Sequence, residues 1–160
     1  MHTGFDGKAV RPFVVFSLYL AIAGIMAPML SSDDQPMDPW SKGDLLEPAA
    51  FADGLRSGTT PLTIICVAFP SLYTQKHIAH AIYAGPGNKP EGLEALRKAV
   101  NTLPKSSDIV IYCGCCPMVK CPNLRPAYAL LKELGLNRVR VLNIPTNLMT
   151  DWSAKGYPVE

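Results

Sequence analysis

Residues 61–69 read PLTIICVAF, an uncharged run of strand length with β-branched side chains at its centre. A strand that is apolar at successive positions, rather than alternate ones, is buried on both faces, which belongs to a parallel sheet covered by helices. Two more short runs follow, DIVIYC at 108–113 and RVRVLN at 138–143. Helical patterns lie between them. Pro48 opens a helix through PAAFADGLRSG and Gly58 closes it. In EGLEALRKAVNTL (91–103), Leu93, Leu96, Val100 and Leu103 form one stripe. In NLRPAYALLKELG (123–135), Asn123 stands as N-cap and Gly135 as C′, with Leu124, Tyr128, Leu131 and Leu134 inward. Strands alternating with helices predict an α/β fold, a parallel sheet with helices on both faces.

That order places the most unusual stretch of the chain. YCGCCPMVKCPNLRP (112–126) holds four of the five cysteines, Cys113, Cys115, Cys116 and Cys121, within nine positions, and Arg125 follows. The strand ends at Cys113 and the next helix begins near Asn123. The loop therefore lies at the carboxyl end of a parallel strand, where open α/β sheets bind ligands. It also leads into a helix N-terminus, whose N–H groups and dipole favour a thiolate.

Cys113 is the candidate nucleophile on this placement; Cys121, nearer the helix, competes with it. Cys115, Cys116 and Cys121 are candidate resolving or redox thiols, because a second thiolate within reach can attack sulfur bonded to the first. A structural disulfide is another use, with Cys116–Cys121 closing the natural short ring. A metal site is a third. Zinc favours paired ligands at short spacing, which only Cys116-x4-Cys121 approaches, while Cys-x-Cys-Cys suits copper(I) and its two or three thiolates. The main reading requires neither metal nor cofactor.

The amino-terminal part has a different character. Residues 12–30, PFVVFSLYLAIAGIMAPML, carry no charge over 19 positions, and as a helix would span about 28 Å, a bilayer's hydrocarbon core. Lys8 and Arg11 precede the run, and Asp33 and Asp34 follow it. That asymmetry keeps the N-terminus in the cytoplasm and exports the remainder. FVVFSLYL followed by Ala21-Ile22-Ala23 reads as a cleavable signal; uncleaved, the same run is a single-span membrane anchor. Residues 1–30 are thus a signal peptide or anchor, 31–44 a turn-rich linker or first turns, and 45–160 the folded domain, extracytoplasmic (periplasmic), secreted or anchored.

Several motifs, in order, resemble the rhodanese-like domain. The helix ending Leu130 to Gly135, the strand Val139 to Leu142, Trp152, and Gly156-Tyr157-Pro158 match that family's closing elements. KHIAHAI (76–82) is similar to its Gly-His-Ile-Pro-Gly-Ala-Ile turn, with Lys76 and His80 where glycines are usual. The resemblance implies a sulfurtransferase fold and persulfide chemistry between a small sulfur donor and a thiol acceptor. Carried onto this sequence, Cys113 takes the sulfur, and Arg125 closes the loop and supplies positive potential. The sequence departs from the family in placing eleven residues between Cys113 and Arg125, with Cys115, Cys116 and Cys121 among them. Cys66 stands where an aspartate is usual, and NIPTN replaces a Gly-Gly pair. The alternative within the same fold is a non-catalytic module whose cysteine loop binds copper(I), zinc or a protein partner.

Other features carry less. Fifteen basic against 13 acidic residues give a net charge of +2 with no basic block, which provides no electrostatic footprint for nucleic acid. Cys66 inside a strand reads as core filling. His77 and His80 read as structural hydrogen-bonding groups, and GPG at 85–87 as a turn. A phosphatase loop needs a fixed Cys-to-Arg spacing that neither Cys113 nor Cys121 has. The leader generates the first prediction: in fractionation with protease protection, residues 31–160 appear outside the cytoplasm. Recovery of the intact chain as a soluble cytosolic protein would refute export.

Overall fold

In the computed structural model, which describes residues 37–58 and 62–160, the apolar runs form one sheet. Its strands are β1 (Leu45–Leu46), β2 (Thr63–Cys66), β3 (Ile82–Tyr83), β4 (Ile109–Tyr112) and β5 (Val139–Leu142). All neighbours are parallel, in the order β1-β5-β4-β2-β3. β4 lies at the centre and is buried at every residue. Since successive side chains point to opposite faces, both faces of the sheet are covered there. The two outer strands were not legible in the pattern, because two residues show no period.

The helices are α1 (Pro48–Ser57), α2 (Pro70–Gln75), α3 (Pro90–Val100), α4 (Leu124–Glu133) and α5 (Leu148–Asp151). Proline opens α1, α2 and α3, where a missing N–H costs nothing. The 91–103 pattern overshoots: α3 stops at Val100, and Leu103 continues only as a turn on the Val100 carbonyl. α4 ends as its sequence requires. Gly135 adopts φ +78°, its N–H reaches the Lys132 carbonyl, and Leu136 N–H reaches Leu131, the Schellman pair. Leu124, Tyr128 and Leu131 are buried as expected, with Ala127 and Leu130 beside them, while Leu134 is only half-buried.

Two of the motifs that carried the resemblance lock together. His77 and Glu160 exchange both backbone N–H bonds at 2.9 Å, and Ile78 pairs antiparallel with Val159. Trp152, fully buried, donates its indole N–H to the Pro158 carbonyl at 2.8 Å. His77 stacks on Tyr73 and hydrogen-bonds its carbonyl, a structural role. His80 takes φ +65°, the left-handed backbone that suits the glycine usual at that position.

Within the stretch read as a linker or first turns, Trp40 is buried against Tyr128, and residues Lys42–Asp44 form a 3₁₀ turn ahead of β1. The charge-free run 12–30 and its Ala21-Ile22-Ala23 site lie outside the described residues. Among the described residues no helix is long and apolar enough to cross a membrane.

Leu131, with no exposed surface, joins α4 to the core. Leu131→Ala is expected to cost about 2–5 kcal/mol as a cavity-forming truncation. Denaturant unfolding checks this, and a change near zero would show that α4 does not pack on the sheet.

Candidate functional site

The chain runs from β2 to β3 on one side of β2 and from β4 to β5 on the other. Their carboxyl ends therefore lie at a topological switch point, the place where open α/β sheets bind ligands. Val67 N–H bonds the Tyr112 carbonyl at 2.9 Å, so the β2–β4 ladder holds the backbone right up to Cys113. Gly114 then turns the chain at φ +74°. A Cβ there would meet the Leu148 Cβ at 2.7 Å, and the Gly114 carbonyl accepts from Leu148 N–H at 2.9 Å. Met118 N–H bonds the Ile144 carbonyl at 3.2 Å, and a 3₁₀ turn, Met118–Lys120, brings the chain back to Cys121.

This path gathers three sulfurs. The Sγ atoms of Cys113, Cys115 and Cys121 all lie within 4.8 Å of one another, with Cys113 and Cys115 at 3.1 Å. Cys116 Sγ is 3.4 Å from Cys115 Sγ. Cys113 and Cys121 are buried, whereas Cys115 and Cys116 are half-buried. All five cysteines are free thiols, so the Cys116–Cys121 ring is not closed, and Cys121 faces Cys113 and Cys115 instead. Cys66 is buried in β2, and burial pushes its thiol up, as a core-filling residue requires.

The thiols are not equivalent. Cys121 is held far below the ordinary thiol range by the facing Cys113 and Cys115 thiols, which outweigh its burial, and by the backbone N–H groups of Asn123 and Leu124. The Cys115 thiol lowers Cys113, but the Cys121 sulfur and burial oppose it and push Cys113 up to about 12. Cys115 is raised by Cys113, Cys121 and burial, and Cys116 is raised by burial and then by Cys115. Interacting thiols lose their first proton as a group. The facing thiols and the backbone N–H groups of Asn123 and Leu124 favour the negative charge at Cys121, just ahead of α4, as a helix N-terminus does.

Asn123 differs from its expected role. It precedes α4, but its side chain makes no capping bond. It is buried, its Oδ1 accepts from Asn88 N–H at 3.2 Å, and its Nδ2 donates to Cys113 Sγ at 3.3 Å and, longer, to Cys115 Sγ at 3.9 Å. The backbone donor at Asn88 fixes which end of the amide faces sulfur. Gly87 makes this possible, since a Cβ there would collide with the Asn123 carbonyl oxygen. The sequence offered no sign of this pairing, because Asn88 and Asn123 are distant in the chain.

Arg125 closes the loop by a different route from direct contact with sulfur. Its guanidinium donates to the Cys121 carbonyl at 3.2 Å and the Val119 carbonyl at 2.9 Å, and pairs with Asp38 at 2.7 Å. The same group lies over the Trp40 ring. A cleft of about 490 Å³ is lined by Asp108, Arg138 and Arg140 near the strands' amino ends, away from the thiols.

No protein-family model and no curated protein matches the sequence. Solved structures do. The rhodanese-like domain from Anabaena sp. is 26% identical, with 73% of this chain and 78% of that one covered and a TM-score of 0.55. A protein from Bacillus halodurans is 25% identical, with 72% and 74% covered and a TM-score of 0.56. Thiosulfate sulfurtransferase from Pseudomonas aeruginosa is 23% identical with a TM-score of 0.55; 79% of this chain is covered but 20% of that one. The fold of residues β1 to the carboxyl terminus is rhodanese-like, a parallel five-stranded sheet flanked by helices. A cysteine cluster stands at the end of its central strand.

The charge distribution gives a spectroscopic prediction. A thiol lowered by its surroundings stays ionised at neutral pH and is protonated only well below the ordinary thiol value of about 8.5. The reduced protein should show thiolate ultraviolet absorbance near neutral pH, lost in Cys121→Ser and retained in Cys116→Ser and Cys66→Ser. Asn123→Leu, which removes a donor to Cys113, should move the later titration upward. Retention of the neutral-pH signal in Cys121→Ser would place the charge on another sulfur.

Proposed function

We propose that this chain transfers sulfane sulfur, carrying it as a persulfide on Cys113. The observation that supports this most directly is the trio of sulfurs within 4.8 Å at the carboxyl end of β4 in a rhodanese-like fold. Cys113 extends from the last rung of a strand, so its backbone position is fixed, as a nucleophile needs. Passing one proton from the Cys113 thiol to the Cys121 thiolate moves the negative charge onto Cys113. That thiolate attacks the outer sulfur of a thiosulfate-class donor. The donor's S–S bond breaks, sulfite leaves with the electron pair, and Cys113 carries a terminal sulfide.

Release uses the neighbour at 3.1 Å. Cys115 passes its proton to the terminal sulfur of the Cys113 persulfide, and the resulting Cys115 thiolate attacks that sulfur. The Cys113–sulfur bond breaks with its electron pair going to Cys113, which regains its thiolate while Cys115 carries the protonated persulfide. The persulfide then sits on a half-buried side chain, from which an external thiol takes it by the same exchange. Asn123 stabilises negative sulfur throughout by its Nδ2 donor. Arg125 is a positioning residue in this scheme, fastening the carbonyls of Val119 and Cys121 so that the Cys121 sulfur faces the other two. The same proposal locates the domain outside the cytoplasm, on the strength of the charge-free run and its flanking charges.

The test is single-turnover loading of reduced protein with thiosulfate or polysulfide, read as a one-sulfur gain in intact mass, followed by sulfur release to an added thiol. Cys113→Ser is expected to abolish loading. Cys121→Ser should slow it about tenfold or more by removing the proton acceptor. Cys115→Ser should load normally and release slowly, and Cys116→Ser should do neither harm. Loading that survives in Cys113→Ser and vanishes in Cys121→Ser would move the nucleophile to the helix N-terminus.

A further inference from the structure

The same cluster has a second chemistry that sulfur transfer does not use. We propose that, fully reduced, Cys113, Cys115 and Cys121 form a three-thiolate site for one copper(I) ion. The three donor atoms lie within 4.8 Å of one another. A trigonal site with metal–sulfur bonds of about 2.3 Å places its sulfurs about 4.0 Å apart. The array is thus already near the size of such a site. Cys113 and Cys115, at 3.1 Å, must open by about an ångström. Cys115 supplies that movement, since it sits on a loop beyond the Gly114 turn while Cys113 is held by the β4 ladder and Cys121 by the start of α4.

The donor set selects the metal. Among the described residues no histidine or carboxylate joins the three sulfurs, and Cys116 falls outside the group. A structural zinc site closes with four ligands, and a catalytic one adds a water that needs polar partners. The buried polar side chain that faces these sulfurs is Asn123, and it presents an N–H donor toward them. Three soft ligands in an apolar, donor-bearing pocket suit copper(I). The charge is also accommodated. Three thiolates around a monovalent ion leave two negative charges, and Asn123 Nδ2 with the N–H groups of Asn123 and Leu124 point at them. Such outer contacts orient and stabilise metal-bound thiolates.

Copper(I) and a persulfide need the same electron pairs, so occupancy by the ion excludes sulfur loading. The inference stands apart from the transfer reading, because it concerns binding by the reduced thiols alone. The experiment titrates copper(I) into the reduced full-length chain without oxygen, against a chromogenic copper(I) chelator. The expected result is one ion retained per chain. Retention should fall at least about tenfold, roughly 1.4 kcal/mol, in each of Cys113→Ser, Cys115→Ser and Cys121→Ser. It should persist in Cys116→Ser and Cys66→Ser. Copper X-ray absorption on the unsubstituted protein, which does not depend on any variant folding, should show three sulfur neighbours and no nitrogen or oxygen. Two sulfur neighbours, equal loss in Cys116→Ser, or displacement of the ion by equimolar zinc would each overturn the site. Failure to retain copper in protein that still loads sulfur refutes the metal inference alone. Copper held on three sulfurs by protein that never loads sulfur supports it and refutes the transfer reading.

Discussion

Position at this site is set by the last rung of the β2–β4 ladder. Cys66 lies opposite Tyr112, and Val67 N–H bonds the Tyr112 carbonyl, so backbone pairing continues to the residue before Cys113. The same end of β2 holds the 85–88 turn, because Gly87 N–H bonds the Val67 carbonyl at 3.1 Å. That turn carries the Asn88 N–H that orients Asn123, and Asn123 in turn faces Cys113. The nucleophile candidate and its buried donor are therefore referenced to one pair of strands. Pulling that pair apart by a residue would misplace both together.

Grouping thiols in an apolar interior carries an electrostatic cost that the fold meets locally. A buried thiolate without donors is disfavoured, and neighbouring thiolates repel. Here the surroundings favour negative charge on one of the three sulfurs. It rests where two backbone N–H groups of α4 and the neighbouring S–H groups converge, on Cys121. Cys113 is pushed up to about 12, because the Cys121 sulfur and burial outweigh the lowering Cys115 thiol. The division separates the stored charge from the strand-fixed position, an arrangement a lone cysteine at a helix N-terminus does not provide.

The central fold was readable because burial leaves a mark on composition. β2, β4 and α4 showed in the sequence as apolar runs and as a stripe bounded by Asn123 and Gly135. The edges were not, since Leu45–Leu46 and Ile82–Tyr83 are too short for any pattern. At the site, the clustering of cysteines marked the loop whose sulfurs converge, but spacing does not reveal which of them do. Cys116 is adjacent to Cys115 in the chain yet outside the trio, because the 3₁₀ turn at Met118–Lys120 returns Cys121 instead. Asn123 was legible as a helix start and not as a thiol partner. Its contact depends on Gly87 admitting a close approach from a segment remote in sequence.

The length of the loop explains the fate of Arg125. In a short loop an arginine that follows the cysteine lies close to the sulfur by connectivity alone. Eleven intervening residues remove that constraint. They also create an extra span of backbone whose carbonyls require donors. Arg125 meets part of that requirement at Val119 and Cys121, and Asp38 balances its charge. Positive potential at the sulfurs is then supplied by backbone N–H groups and the Asn123 amide rather than by a full cation.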